Sequence, residues 1–184
     1  MKRSTRMSRL LLAAIVAVVA ALPLAQLAHA GHPAPDVPIG VAVPDGNKVF
    51  LVGHAVGVQI HTCAATTNGY AWRFVGPIAN LYDDNGKLLT THYGGPTWEA
   101  KDGSKVVGTV EGRATVDATA IPWLRLSAST APGLDGDRLV ATTFIQRIAT
   151  TGGLAPAAAD CHEGTAGTTE EVPYTADYYF WKAA

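Results

Sequence analysis

The stretch VFLVGHAVGVQIHTC, residues 49–63, decides how this chain is read. Phe50, Val52, Val56, Val58 and Ile60 recur at period two, with His54 among them, the pattern of a strand with one apolar face. The other face carries Leu51, Gly53, Ala55, Gly57, Gln59 and His61. Its small residues allow close approach by another layer, or a bulge at a glycine. The apolar set is expected to point inward and to take His54 with it. So long a strand is expected to be central and bent.

Shorter strands follow, each closed by turn chemistry. Tyr70–Val75 is one, and Ile78–Tyr82 is another, ended by Asp83-Asp84-Asn85-Gly86. Asn-Gly is a hairpin signal because both residues tolerate positive φ. Further strands are expected at Lys87–Tyr93, Thr97–Lys101, Lys105–Glu111, Trp123–Ala128, Arg138–Ala149 and Val172–Lys182. No window after residue 30 has a helical period. Eight or nine strands with turns every 8–12 residues indicate an all-β fold. A β-sandwich of jelly-roll type is expected, with a small closed β-barrel as the alternative. The 21 residues of Thr151–Glu171 form a long loop, of a length that usually carries a function or no structure.

Residues 1–30 read as a secretory signal peptide. Lys2, Arg3, Arg6 and Arg9 precede an apolar run over Leu10–Leu22, and Ala28-His29-Ala30 is a small-x-small cleavage site. The apolar run is short for a membrane span, so no stable span is expected after cleavage. The reading is therefore of a secreted or periplasmic protein. Residues 31–44 hold Pro33, Pro35, Pro38 and Pro44 and are expected to be an extended arm, with one β domain over 45–184.

The 184 residues carry 14 basic and 15 acidic side chains. Without residues 1–30 the balance is 10 basic against 15 acidic, a net of -5. Such a surface gives no footprint for nucleic acid. Cys63 and Cys161 are the only cysteines. In an oxidising compartment their plain reading is a disulfide that pins the long loop to the first strand. His61 and His162 beside them would complete a metal-site composition, but only if both sulfurs were thiolates.

Several segments are familiar as a set. They are Gly46–Phe50, His54–Ile60, Leu81–Lys87, His92–Ala100, Ala120–Leu124, Ile145–Arg147, Gly152-Gly153 and Val172–Phe180. Over about residues 36–182 the chain resembles the secreted family called domain of unknown function 3455. The resemblance implies a secreted single-domain protein. It brings no activity, cofactor or site residue with it.

Familiar catalytic signatures are missing. There is no Gly-x-Ser-x-Gly elbow, no His-Glu-x-x-His and no glycine-rich phosphate loop. The richest polar cluster is His92-Tyr93-Gly94-Gly95-Pro96-Thr97-Trp98-Glu99. His92 and Glu99 are an acid/base pair by type, and Tyr93 and Trp98 flank a glycine turn that admits a ligand. The plainer reading is a tight corner anchored by its aromatics. Arg147 sits in an apolar strand and is either inward and paired with an acid, such as Asp177 or Glu99, or outward at an edge. His54, Asp177 and Tyr179 are further ligand-binding candidates. Asp83 and Asp84 are explained by the turn they start, and nothing in the spacing calls for a metal or another cofactor. Four Trp and the Tyr of the final strand invite a sugar-stacking platform, against which stands ordinary core packing. The reading that results is a non-catalytic module binding an envelope component, a glycan or another small ligand. The alternative is a small enzyme or metalloprotein around His92 and Glu99.

Overall fold

The computed structural model describes residues 32–131 and 136–184. The leader read at residues 1–30 lies outside them. Period-two alternation governs the described chain from end to end, and its physical result is one antiparallel meander. The strands are β1 (Asn47–Thr66), β2 (Gly69–Tyr82), β3 (Leu88–Tyr93), β4 (Thr97–Ala100), β5 (Lys105–Ala114), β6 (Trp123–Thr130), β7 (Phe144–Gly152) and β8 (Thr169–Ala183). The helical pieces among the described residues are three 3-10 turns of three residues each.

The all-β expectation holds, and the architecture is the closed barrel rather than the two-sheet sandwich. The reason lies in β1. It is 20 residues long and pairs on one side with β2 and on the other with β8, which joins the first strand to the last. A register shift between Ile60 and His61 bends it. Two expected strands, Tyr70–Val75 and Ile78–Tyr82, are one continuous β2.

The inward face of β1 is the reverse of the expected one. Gly53, Ala55, Gln59, His61 and Cys63 are buried, whereas Val56 is 60% exposed and His54 faces outward. The interior is already filled by Trp98 from β4, Leu126 from β6, and Tyr174, Tyr178 and Phe180 from β8. Bulk from those strands requires small residues opposite, so small size rather than hydrophobicity marks the inner face here. Gly57 is the extreme case, since a Cβ there would stand 2.2 Å from the Ile78 carbonyl oxygen.

In a meander, alternate connections share an end. One end receives the β2–β3, β4–β5 and β6–β7 connections and is plugged. Residues 138–142, expected as strand, form a turn instead, and Leu139 is fully buried beneath it. Asp102 fixes this plug. Its carboxylate accepts from the backbone N–H of Asp137 and Arg138 at 3.0 Å each and from the Ser104 hydroxyl at 2.7 Å. Ser104 Oγ accepts in turn from the Leu139 N–H at 3.2 Å.

Part of the proline-rich arm docks on the outside of the barrel. Ile39–Val41 make a 3-10 turn and Val41 is fully buried. Gln146, outward on β7, donates from Nε2 to the Val41 carbonyl at 2.6 Å and accepts from Trp181 Nε1 at 2.9 Å. Arg125 donates to the Ala42 carbonyl at 2.7 Å.

Candidate functional site

The opposite end of the barrel is open to a cavity of about 360 Å³. Its walls come from the connections that share that end. Gly95 and Pro96 belong to β3–β4, Ile121 and Pro122 to β5–β6, and Gly153, Leu154 and Ala155 to β7–β8. Phe74 and Val75 of β2 stand at its wall, exposed by 57% and 60%. The depth is lined by Trp98, Leu124 and Leu126, with a few polar groups converging: Gln59, His61, His92, Arg147 and Tyr178. A mostly apolar concavity with a small set of placed polar groups is the usual composition of a small-molecule site.

The long β7–β8 loop is held over this end by the disulfide between Cys63 and Cys161, whose Cα atoms are 5.3 Å apart. The sulfurs are bonded to each other, so neither serves as a thiolate ligand. The loop is held further by backbone bonds between Cys63 and residues 167 and 168, and Trp72 Nε1 donates to the Ala157 carbonyl at 3.1 Å. Gly153 reaches the wall because it has no side chain. Its φ is +76°, and a Cβ would stand 2.9 Å from Gln59 and 3.0 Å from Tyr174.

Several of the interior polar groups have partners within the chain. His92 Nδ1 lies 2.9 Å from the Thr97 carbonyl oxygen, so it is the protonated nitrogen of the neutral ring and Nε2 is left as an acceptor. The ring stacks on Trp98 at 4.2 Å and meets the edge of Tyr178 at 5.2 Å. Burial, with the Arg147 charge adding to it, pulls the His92 pKa down to about 3. His61 Nε2 is 3.2 Å from the Gly153 carbonyl oxygen. Tyr174 and Tyr178 hydroxyls lie 3.4 Å apart, and burial pushes both well above the usual phenol range. Arg147 is inward on β7 and donates to the Pro122 carbonyl from Nη2 at 2.8 Å and Nε at 3.3 Å.

The residues singled out in the sequence fall in three places. His92, Trp98 and Arg147 line the cavity. Glu99 does not join them. It follows inward Trp98 on β4 and therefore faces outward, where it accepts from the Tyr93 hydroxyl at 2.9 Å and pairs with Lys105 at 3.2 Å. The Tyr93 hydrogen bond, followed by that of Lys105, holds the Glu99 carboxyl below its ordinary range. His92 and Glu99 are thus on opposite faces of the sheet and do not form an acid/base pair. Nor does Arg147 pair with Asp177 or Glu99.

The third place is the outer surface around His54. Its Nδ1 is 2.6 Å from Asp177 and its Nε2 is 2.8 Å from Asp84, with Tyr179 close by. Carboxylates only accept, so both ring nitrogens donate and the ring is an imidazolium. The Asp177 hydrogen bond, then that of Asp84, raises its pKa. Asp84 is therefore more than a turn residue. Among the described residues no cluster of His, Cys, Asp and Glu is arranged to hold a metal ion.

A sugar-stacking platform is not assembled from the aromatics of the final strand. Tyr174, Tyr178 and Trp181 are buried, as is Trp98. Gln59 and Arg113 were not picked out from the sequence. Gln59 carried a signal, being a polar residue on a face with several small ones, but it was the opposite, apolar face that was expected to point inward. Arg113, exposed on the cavity rim, carried none.

No curated protein and no solved structure matches the chain significantly. A family model does, over residues 44–182, which is most of the chain and all eight strands but for the last residue of β8. Its description is "Protein of unknown function (DUF3455)", and the chain belongs to that family.

Proposed function

We propose that the barrel binds a small, mostly apolar molecule in the cavity at its open end. The supporting observation is the cavity itself, about 360 Å³, apolar in its walls and supplied with a few converging polar side chains. That volume lies at the small end of ligand sites, which run from about 300 to 1,000 Å³. Exposed Phe74, Val75 and Leu154 at the rim give an apolar molecule a path of entry. Catalysis draws less support. Burial holds the pKa of the interior imidazole His92 at about 3, which makes it too weak a base for proton abstraction near neutrality.

The test is titration with the neutral fluorophore N-phenyl-1-naphthylamine. Saturable binding at one site per chain is expected, lost on Ala155→Trp. Ala155 is exposed on the loop, so a bulky side chain there blocks the mouth without entering the core. Binding that does not saturate, or that survives this substitution, refutes the reading.

The same reading places the protein outside the cytoplasm. It is supported by the basic, apolar and Ala-x-Ala segments of residues 1–30 together with the disulfide. N-terminal sequencing of the exported product is expected to begin at Gly31. An intact N-terminus, or retention in the cytoplasm, sinks this part.

A further inference from the structure

We infer that the molecule taken up by the barrel carries one anionic group, of carboxylate type, and seats it against Arg147. The inference rests on the cavity-binding reading above and goes on to name the ligand's polar end.

Arg147 is the central observation. It projects from β7 into the barrel, across from Tyr178 on β8, and is only partly exposed. Its partners are neutral: the Pro122 carbonyl takes both Nε and Nη2, and the Tyr178 hydroxyl faces the guanidinium. No carboxylate among the described residues makes an ion pair with it. None of the residues lining the cavity is Asp or Glu, while a second arginine, Arg113, stands at the rim. A guanidinium withdrawn from water without a counter-charge is costly, and chains that keep one usually supply a partner. Here the chain supplies none, although acids outnumber bases after residue 30. The cavity is a positive interior within an acidic protein.

A buried donor points the same way independently. Trp98 Nε1 has no hydrogen-bond partner, although its side chain is 1% exposed and lines the cavity. Buried N–H groups are nearly always satisfied, so this indole asks for an acceptor from outside the chain. The Gln59 amide has the Tyr174 hydroxyl as its neighbour, and His61 Nδ1 is an unpartnered acceptor, so the donors offered to a ligand are the Trp98 indole and the Arg147 guanidinium. A carboxylate is acceptor-only and matches the planar guanidinium fork. A single inward arginine fits one negative charge. The apolar walls formed by Leu124, Leu126, Ile121 and Val110 fit the hydrocarbon body that carries it.

The experiment is calorimetric titration of the full-length mature protein with three ligands of one body: 4-phenylbutanoate, 4-phenylbutanamide and 4-phenylbutylamine. The acid is expected to bind at least about tenfold more tightly than the amide, as a hydrogen bond to a charged group allows, and the amine most weakly. Arg147→Met is expected to abolish the preference for acid over amide, and Arg147→Lys to retain part of it. The comparison of acid with amide in the unmutated protein decides even if a variant fails to fold. Equal affinities for acid and amide overturn the inference and leave the cavity reading standing. So does failure of the acid to bind while N-phenyl-1-naphthylamine binds. If neither the series nor the fluorophore binds, the cavity reading itself falls and the inference with it.

Discussion

Gln146→Leu offers a sharp test of whether the segment before β1 is part of the fold. Leucine nearly matches glutamine in volume, so the substitution opens little space at a side chain that is 1% exposed. What it removes is polar. The Trp181 indole N–H loses its acceptor at 2.9 Å, and the Val41 carbonyl loses its donor at 2.6 Å. Both residues stay buried, at 7% and 0% exposure, and water does not readily replace the amide. Each orphaned buried group costs about 1–3 kcal/mol, so the pair amounts to about 2–5 kcal/mol after some relaxation. For a chain of this size that is a fall in Tm of about 5–15 °C. Urea unfolding followed by tryptophan fluorescence gives the free energy. The same substitution in a protein lacking residues 32–43 isolates the Trp181 half, because the Val41 carbonyl is then gone. A loss below about 1 kcal/mol in the full chain, or an equal loss in both backgrounds, refutes the bridge as a coupling between arm and barrel.

Other expectations follow from the same geometry. The pH dependence of stability has two histidine limbs around the unfolded value of 6.5. His54, raised by Asp177 and Asp84, contributes stability that is full below 6.5 and lost as pH rises through its higher folded value. His92, lowered to about 3 by burial, contributes stability present above 6.5 and lost as pH falls toward 3. Thermal melts from pH 4 to 9 are expected to lose the alkaline limb in His54→Gln, and curves parallel to the unmutated protein's would refute the imidazolium bracket. Replacing Cys63 and Cys161 with Ser opens a crosslink spanning 98 residues. The expected cost is about 2–5 kcal/mol, with faster hydrogen exchange over residues 153–168, and an unchanged urea midpoint would contradict the role assigned to the loop. Gly57→Ala forces a methyl against the Ile78 carbonyl and is expected to cost at least about 1–3 kcal/mol in the same urea assay. A neutral result would mean that β1 and β2 are not as close as described.

Much of the fold was legible because alternation and turn chemistry are local. The Asp83–Gly86 turn formed as read, with the Asp83 carboxylate accepting from the N–H groups of Asn85 and Lys87 and Gly86 at φ +76°. What alternation cannot state is which face is inside. In β1 the apolar face is the outer one, because the inner volume belongs to side chains from β4, β6 and β8, more than thirty residues away. That one inversion misplaced His54, which went to the surface, and hid Gln59 and His61, which went inside. The candidate site was half legible for a related reason. His92 and Glu99 are seven residues apart on adjacent strands, and the turn between them sets their parity, so types that suit each other landed on opposite faces. Arg147 could be read either as an inward charge paired with an acid or as an outward edge residue; it is inward, and no carboxylate among the described residues pairs with it.

Closure through β1 and β8 has a kinetic meaning. Asn47 pairs with Ala183, and the Ala184 N–H donates to the Gly46 carbonyl at 2.9 Å, so the seam joins segments more than a hundred residues apart in the chain. Every other strand pair is a neighbour in sequence and can form as soon as its two members exist. The seam cannot. Until β8 arrives, β1 is an edge of twenty residues whose backbone N–H and C=O groups on that side are unpaired, and edges of that kind recruit strands from wherever they can. The seam is therefore the pairing with the largest loop-closure cost, and exchange of β8 between two copies is the route by which such an edge would form a swapped dimer.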